Sequence, residues 1–322
     1  MRRWACLVAL GLLAAPVRAA TETQIHWVMG TYLRVTAEGD GAGPALRECF
    51  AEARRLDHVF SRFDPTSELS RLHERRSQPA SQTFADLLDR SVLLGRRTDG
   101  AFEVTVGALT ALWRADTAPA PAAVAAARAT VGGVTHSRER VRIAPGTRLD
   151  FDGIAKGYAV DACVARLRAA HVRRAFVSFG ESSLYALGTS PTGAAWDVAV
   201  RGLDPDAAVG TLHLRDQAVS VSATRSSSGR RGTIVDPSSG NVIDGERVAV
   251  VVATSATDAE AYSKALLVWG PRGLTRLERI GDVQAVVVSE DGAELGPAMR
   301  AAATYAPLSA PRPLRRAEDG LS

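Results

Sequence analysis

The run VAVVVA, Val248 to Ala253, is apolar throughout, and a helical pattern from Ala256 to Trp269 follows it after two intervening residues. A short, β-branched apolar run is typical of a buried strand, and the longer segment after it predicts a helix. A short helix near Leu274–Ile280 and a strand at Gln284–Ser289 follow. A segment with this strand–helix–helix–strand order is expected to belong to a sheet with helices packed against it.

The preceding part of the chain mixes helices and strands in the same way. Apolar residues at helical spacing predict an amphipathic helix between Pro44 and Phe63, and a second helix over residues 83–100. The segment from Arg140 to Ala155 suggests a hairpin, residues 156–172 suggest a helix after it, and residues 173–243 are rich in strand patterns. We therefore expect the fold class α+β, with two lobes around a cleft.

The two ends of the chain differ in composition from the rest. Residues 1–20 combine the basic MRRW, the apolar ACLVALGLLAA and the small residues of PVRAA, which is typical of a secretory signal peptide. The apolar run is too short for a stable membrane span. We expect a periplasmic protein with one domain over residues 21–306 and a disordered Pro- and Arg-rich tail over 307–322.

Charge and cysteine content exclude some classes of protein. Loss of the signal removes three arginines and lowers the formal net charge from +4 to +1 (4 − 3). Acidic residues lie among the remaining arginines, so nucleic-acid binding is disfavoured. Cys49 and Cys163 remain in helix-like segments after Cys6 leaves with the signal. An oxidising compartment permits a disulfide between them, but spacing cannot show that they meet, so we expect two separate buried thiols.

Lysine is nearly absent from this chain. The 39 basic residues include only Lys156 and Lys264, so the other 37 are arginines (39 − 2). Lys156 lies in LDFDGIAKGYAVD, where Asp150, Asp152 and Asp161 crowd a Gly-rich strand-to-helix junction. Backbone N–H groups at such a junction favour an anion, and a lysine there can pair with phosphate. The alternative is a helix start with balanced charges.

Three other stretches are more specific than their surroundings require. In VMGT, Gly30 interrupts a strand pattern, which indicates either a bulge or close approach of a ligand. FSRFDPTSELSRL contains an aromatic residue, a turn at the proline and the sequence TSEL, which resembles a capping box at the start of a helix. TDGAFEVTVG gathers Asp99, Glu103 and Thr105 around one turn.

These stretches, together with TIVDPSSG and VAVVVATSATDAEAYSKALLVWG, occur in an order that resembles the ApbE-type FAD:protein FMN transferase family. The resemblance covers roughly Trp27 to Tyr305 and implies an α+β fold. It further implies an exported enzyme that binds FAD in a cleft, uses magnesium, and transfers the FMN moiety to a Thr or Ser hydroxyl, releasing AMP. The implied partner is an acceptor flavoprotein subunit of an electron-transfer system.

The resemblance also assigns site residues. The positions that match the family's FAD-binding motifs are Met29, Phe63, Ala101, Phe102, Glu103, Asp150, Lys156 and Ile234. Phe63 stands where the family usually has tyrosine, and its ring can still stack on the isoalloxazine.

The family's metal site takes a backbone carbonyl at the position of Gly153, together with an Asp and a Thr four residues apart. Here those two positions hold Glu260 and Lys264, which share one helical face. A glutamate can bind magnesium, but a protonated lysine cannot, and its charge repels the ion. Magnesium is therefore doubtful.

Three interpretations of Lys264 remain open: a surface salt bridge to Glu260, a built-in cation that contacts the FAD pyrophosphate, or a decayed site. The built-in cation is favoured, because arginine would serve equally well in a surface pair. Lys264, Glu260 and Asp258 are the candidate catalytic residues, with Asp258 or Asp161 taking the hydroxyl proton. Alternative functions are a non-transferring FAD-binding protein and an FAD pyrophosphatase.

Overall fold

The computed structural model describes residues 21–115, 117–137, 139–204, 206–224, 234–302 and 304–313. The expected signal peptide, residues 1–20, lies outside these ranges, as do residues 314–322.

Helices and strands occur in mixed order along the chain, as expected for the α+β class. The helices are α1 (Ala42–Phe60), α2 (Glu68–Arg75), α3 (Gln82–Arg97), α4 (Gly107–Trp113), α5 (Pro121–Arg128), α6 (Ala155–Ala169), α7 (Ala256–Trp269), α8 (Gly273–Glu278) and α9 (Pro297–Ala302). The strands are β1 (Thr21–Val28), β2 (Thr31–Glu38), β3 (Ser77–Pro79), β4 (Val134–His136), β5 (Arg140–Ile143), β6 (Arg174–Phe179), β7 (Ser183–Leu187), β8 (Trp196–Arg201), β9 (Ala207–Leu214), β10 (Gln217–Ala223), β11 (Val248–Ala253), β12 (Gln284–Ser289), β13 (Gly292–Leu295) and β14 (Tyr305–Pro313). The predicted bounds of β11, α7 and β12 are confirmed.

An eight-stranded antiparallel sheet, in the order β1-β2-β6-β7-β10-β11-β12-β13, forms the centre of the molecule. Ala249 and Val251 of β11 face the main core beneath α1, α6 and α7. Val250 and Val252 face the opposite way, into a second core shared with β8 and β9. Since both faces of β11 are covered, its sequence has no polar position.

Two smaller three-stranded sheets complete the fold, in the orders β14-β9-β8 and β3-β5-β4. The first covers the side of the large sheet opposite the helices, and the second lies beside α2. Among the helices of the described residues, none combines the length and apolar composition needed to cross a membrane.

Helices α6 and α7 cross at Gly157 with almost no space between their backbones. A Cβ atom at Gly157 would lie 2.3 Å from the carbonyl oxygen of Ala256, far inside any allowed contact. Only glycine permits this approach. The crossing brings the first turn of α6 within reach of the side chains of α7.

Two local predictions are wrong. Met29 and Gly30 are neither a bulge nor part of one strand, because they form the two-residue turn of a β1–β2 hairpin, with φ values of 49° and 71°. Such turns need positive φ at both positions, which glycine supplies readily. The segment Arg140–Ala155 is not a hairpin, because β5 pairs with β3 and β4 instead.

The expected disordered tail over 307–322 is also wrong in its first part. Strand β14 continues to Pro313 and pairs with β9, with a register shift between Pro307 and Arg312. Proline removes a backbone donor, which an edge strand tolerates because its outer side needs no partner. The remainder of that segment lies outside the described residues.

Cys49 and Cys163 form a disulfide that joins α1 to α6, with their Cα atoms 4.6 Å apart. The expectation of two separate thiols is therefore wrong. The cysteines lie 114 residues apart in sequence, so only the packing of α1 on α6 brings them together.

We predict that the double variant Cys49→Ala/Cys163→Ala has a free energy of unfolding about 2–4 kcal/mol lower than that of the wild type. The reason is that a disulfide across so long a loop restricts the unfolded chain. Denaturant unfolding of the oxidised mature chain and of the variant measures the difference. Dithiothreitol should destabilise the wild type and leave the variant unchanged. Equal stability of both oxidised proteins would contradict the prediction.

Candidate functional site

Two adjoining cavities flank the segment Asp150–Lys156. The first, of about 200 Å³, lies against α4, and we call it the α4 cavity. The second, of about 520 Å³, lies between the β1–β2 turn and the end of α1, and we call it the hairpin cavity. Asp152 lines both cavities, so the segment that carries it forms a shared wall.

The eight predicted FAD positions all line one of these two cavities. Ala101, Phe102, Glu103, Asp150 and Ile234 line the α4 cavity. Met29, Phe63 and Lys156 line the hairpin cavity. Residues far apart in sequence thus meet around one segment, although their roles toward FAD remain predictions.

Asp150 is held in a fixed orientation at the base of the α4 cavity. Its Oδ2 accepts hydrogen bonds from Thr110 Oγ1 at 2.6 Å and from Arg114 at 3.1 Å. Its Oδ1 accepts the backbone N–H of Asp152 at 2.9 Å. The neighbouring backbone is anchored as well, because Leu149 N–H donates to His73 Nε2 at 3.0 Å. Burial, with the nearby Arg148 and other positive charge, lowers the pKa of His73 to about 4, so the ring is a neutral acceptor at neutral pH.

Two arginines close over the shared wall. Arg62 and Arg114 donate to Asp152 Oδ2 at 3.0 and 2.8 Å. Burial and the neighbouring Asp150 raise the pKa of Asp152, and the arginines oppose that effect. The Arg62 guanidinium also lies 3.9 Å from the centre of the Phe63 ring, which is exposed at the rim of the hairpin cavity. A planar ligand there would meet an aromatic face already paired with a cation.

Glu260 is the most completely enclosed charge near the cavities, with 0% of its surface exposed. Its Oε2 accepts the backbone N–H of Gly157 at 2.9 Å, and its Oε1 accepts Ser183 Oγ at 2.6 Å. This hydrogen bond to Gly157 caps the N-terminus of α6, because the N-cap residue Ile154 makes no side-chain hydrogen bond there. Burial opposes ionisation, but Lys264, Lys156 and the two hydrogen bonds together lower the pKa of Glu260.

The two lysines of the chain meet at this carboxylate. Lys264 Nζ lies 3.6 Å and Lys156 Nζ 3.8 Å from the same atom, Glu260 Oε1. Lys156 also donates to Ser182 Oγ at 2.6 Å. The predicted Glu260–Lys264 salt bridge is present, but it does not lie on the surface, because Glu260 is enclosed and the Lys264 side chain is only 18% exposed. Burial lowers the pKa of Lys264 and Glu260 counteracts it, so an anion bound nearby would favour the charged form.

The residues at the implied metal position do not fit a divalent cation. Both oxygens of Glu260 already accept hydrogen bonds, and two ammonium groups lie within 4 Å of one of them. The Lys264 side chain packs on Gly153, since a Cβ atom there would lie 3.9 Å from Lys264 Cε. Across the described ranges, no cluster of three or more His, Cys, Asp or Glu residues is arranged to hold a metal.

The candidate proton acceptors are committed to other contacts. Asp258 receives two hydrogen bonds from Arg90, one from Nε at 2.7 Å, and lines neither cavity. Asp161 accepts from Ser255, Ala256 and Thr257 at the start of α7. Neither geometry supports a role as a base, and assigning Asp258 to catalysis is not favoured.

The sequence alone did not identify Arg62, Arg114 or Ser183 as parts of this site. The two arginines carry no signal in a chain whose basic residues are almost all arginine. Ser183 reaches Glu260 only because β7 lies beneath α7. Side-chain spacing in the sequence does not report such contacts.

Comparisons with known proteins agree with this architecture. The ApbE family model matches residues 29–287. The FAD:protein FMN transferase of Escherichia coli strain K12 is 26% identical over 291 residues, covering 82% of this chain and 83% of that protein. The FAD:protein FMN transferase of Vibrio cholerae serotype O1 is 27% identical over 326 residues, covering 91% and 96%.

Solved structures agree as well. The flavinyl transferase ApbE of Pseudomonas stutzeri, in its apo form, superposes with a TM-score of 0.79 at 27% identity, covering 89% of this chain and 99% of that one. The ApbE protein of Thermotoga maritima has a TM-score of 0.80 at 23% identity, which is a likeness of fold alone. The resemblance and the α+β fold are confirmed, and the homologues support the flavin transferase class with FAD as substrate.

We predict strong coupling between Glu260 and Lys264 in a double-mutant cycle. Glu260→Gln should lower the free energy of unfolding by about 3 kcal/mol, because it leaves two ammonium groups without their carboxylate. Adding Lys264→Met to that variant should recover part of the loss, since one of the unpaired charges is then gone. Denaturant unfolding of the four proteins measures the coupling, and strictly additive losses would contradict it.

Proposed function

The chain belongs to the ApbE family, and on this premise we propose that it is an exported transferase that moves the FMN moiety of FAD onto a Thr or Ser hydroxyl of a partner protein. The main support is the grouping of the eight predicted FAD positions around the segment Asp150–Lys156. A molecule of two aromatic halves joined by a pyrophosphate suits two cavities that share one wall.

The proposed reaction is a phosphoryl-type transfer. The acceptor hydroxyl oxygen attacks the phosphorus of the FMN half of FAD, and a new O–P bond forms. The P–O bond to the AMP phosphate breaks, its electron pair leaves with AMP, and the hydroxyl proton passes to water. Such chemistry depends mainly on positioning and on compensation of the negative charge on the phosphates.

The proposed roles follow from the contacts of each residue. Asp150, held by Thr110 and Arg114, orients the ligand in the α4 cavity. The exposed Phe63 ring stacks on an aromatic ring of FAD. Lys156 and Lys264 face the pyrophosphate. The acceptor in this proposal is a flavoprotein subunit of an electron-transfer system.

Export to the periplasm is part of the proposal. The signal-like residues 1–20 support it, and so does the disulfide between Cys49 and Cys163, because such bridges persist in oxidising compartments.

Deleting the gene in its native bacterium should abolish covalently flavinylated bands, which are detected by flavin fluorescence in denaturing gels. Wild type should restore the bands. Ile234→Trp should not restore them, because the indole ring of tryptophan would fill the α4 cavity that Ile234 lines. Leu93→Trp, a partly exposed position on α3 outside both cavities, is the matched control and should restore them.

An assay of the products that the purified mature chain forms from FAD distinguishes the alternative functions. With FAD and an acceptor identified from the gel, AMP and flavinylated acceptor should appear in equal amounts. Free FMN and AMP without any acceptor would instead identify a pyrophosphatase. Tight FAD binding with no AMP under any condition would identify a non-transferring flavin-binding protein.

A further inference from the structure

The cluster of Lys156, Glu260 and Lys264 lies where the two cavities meet. Lys264 lines the α4 cavity, and Lys156 lines the hairpin cavity. Both ammonium groups lie within 4 Å of the one oxygen, Glu260 Oε1. The carboxylate therefore holds one cation at the edge of each cavity.

The positive charges of this cluster exceed the negative charge by one. A single carboxylate lies between two ammonium groups, and both oxygens of that carboxylate are already used by Gly157 and Ser183. Neither lysine is sealed from the cavities, because their side chains keep 25% and 18% exposure. The one excess positive charge of the two lysines can therefore pair with an anion that extends across both cavities.

The same cluster excludes a divalent ion. The Lys264 side chain lies beside Gly153, and its ammonium group lies 3.6 Å from Glu260 Oε1. A divalent ion at Glu260 would have to displace hydrogen bonds from Gly157 or Ser183 and lie next to two positive charges.

We infer that Lys156 and Lys264, held by Glu260, form a metal-independent binding site for a pyrophosphate that bridges the two cavities. The inference rests on the proposed function, because it assigns the pyrophosphate of FAD to this cluster. Each ammonium group donates hydrogen bonds to phosphate oxygens, which are among the strongest that a protein makes. The chain then carries its own cations in place of a bound metal.

The test measures binding of FAD and of riboflavin, which lacks phosphates, to the purified mature chain in excess EDTA and in excess MgCl₂. We compare wild type with Lys264→Gln, Lys264→Thr and Lys156→Gln. Arg279→Gln, which removes one exposed charge at the end of α8, is the matched control. Flavin fluorescence gives the affinities, and calorimetric titration with MgCl₂ alone tests for metal binding.

Wild type and Arg279→Gln should bind FAD equally well in EDTA and in MgCl₂, with no heat from magnesium alone. Each lysine variant should lose about tenfold or more in FAD affinity, the value expected for one charged hydrogen bond. Riboflavin affinity should not change, which also shows that the variants are folded.

Four results would overturn the inference. If wild type binds FAD only with magnesium, the site is metal-dependent and the inference fails while the proposed function stands. If Lys264→Gln and Lys156→Gln keep wild-type affinity, the lysines do not contact the pyrophosphate. If FAD and riboflavin affinities fall equally in the variants, the effect is not on the phosphates. If wild type binds FAD in neither condition, the proposed function fails as well.

Discussion

The contact between the buried Glu260 carboxylate and the first turn of α6 underlies both the fold and the site. Glu260 reaches Gly157 only because α6 and α7 cross without a side chain between them. The carboxylate replaces a missing N-cap on α6 and ties α7 to β7 through Ser183. An unpaired charge in such a position would be strongly unfavourable, so the structure needs cations beside it. Lys156 and Lys264 meet that need and also face the cavities.

Local patterns predicted much of the fold. The bounds of β11, α7 and β12 follow from apolar runs and helical periodicity, which depend on neighbouring residues only. The scarcity of lysine identified the charged cluster around Glu260, because a chain that uses arginine elsewhere needs a reason to keep Lys156 and Lys264. The predicted FAD positions came from an ordered set of motifs, and those positions line the two adjoining cavities.

What the sequence failed to predict depends on long-range contacts. The disulfide needs α1 to pack on α6, and spacing cannot report that. The tail forms β14 because β9 offers it a free edge, even though its proline content suggests disorder. Arg62 and Arg114 were not predicted for a different reason, since nothing in the sequence distinguishes them from the many other arginines. Asp258 looked available, but Arg90, which is 168 residues away, holds its carboxylate.

In the proposed complex with FAD, an ammonium group and not a metal ion faces the pyrophosphate beside Glu260. A crystal structure of the mature chain with FAD, grown in excess Mn²⁺ and measured for anomalous scattering, tests it most directly. We expect Lys264 Nζ within hydrogen-bonding distance of a pyrophosphate oxygen, and no anomalous peak between Gly153 and Glu260. A manganese peak coordinated by Glu260, with Lys264 turned away, would contradict it.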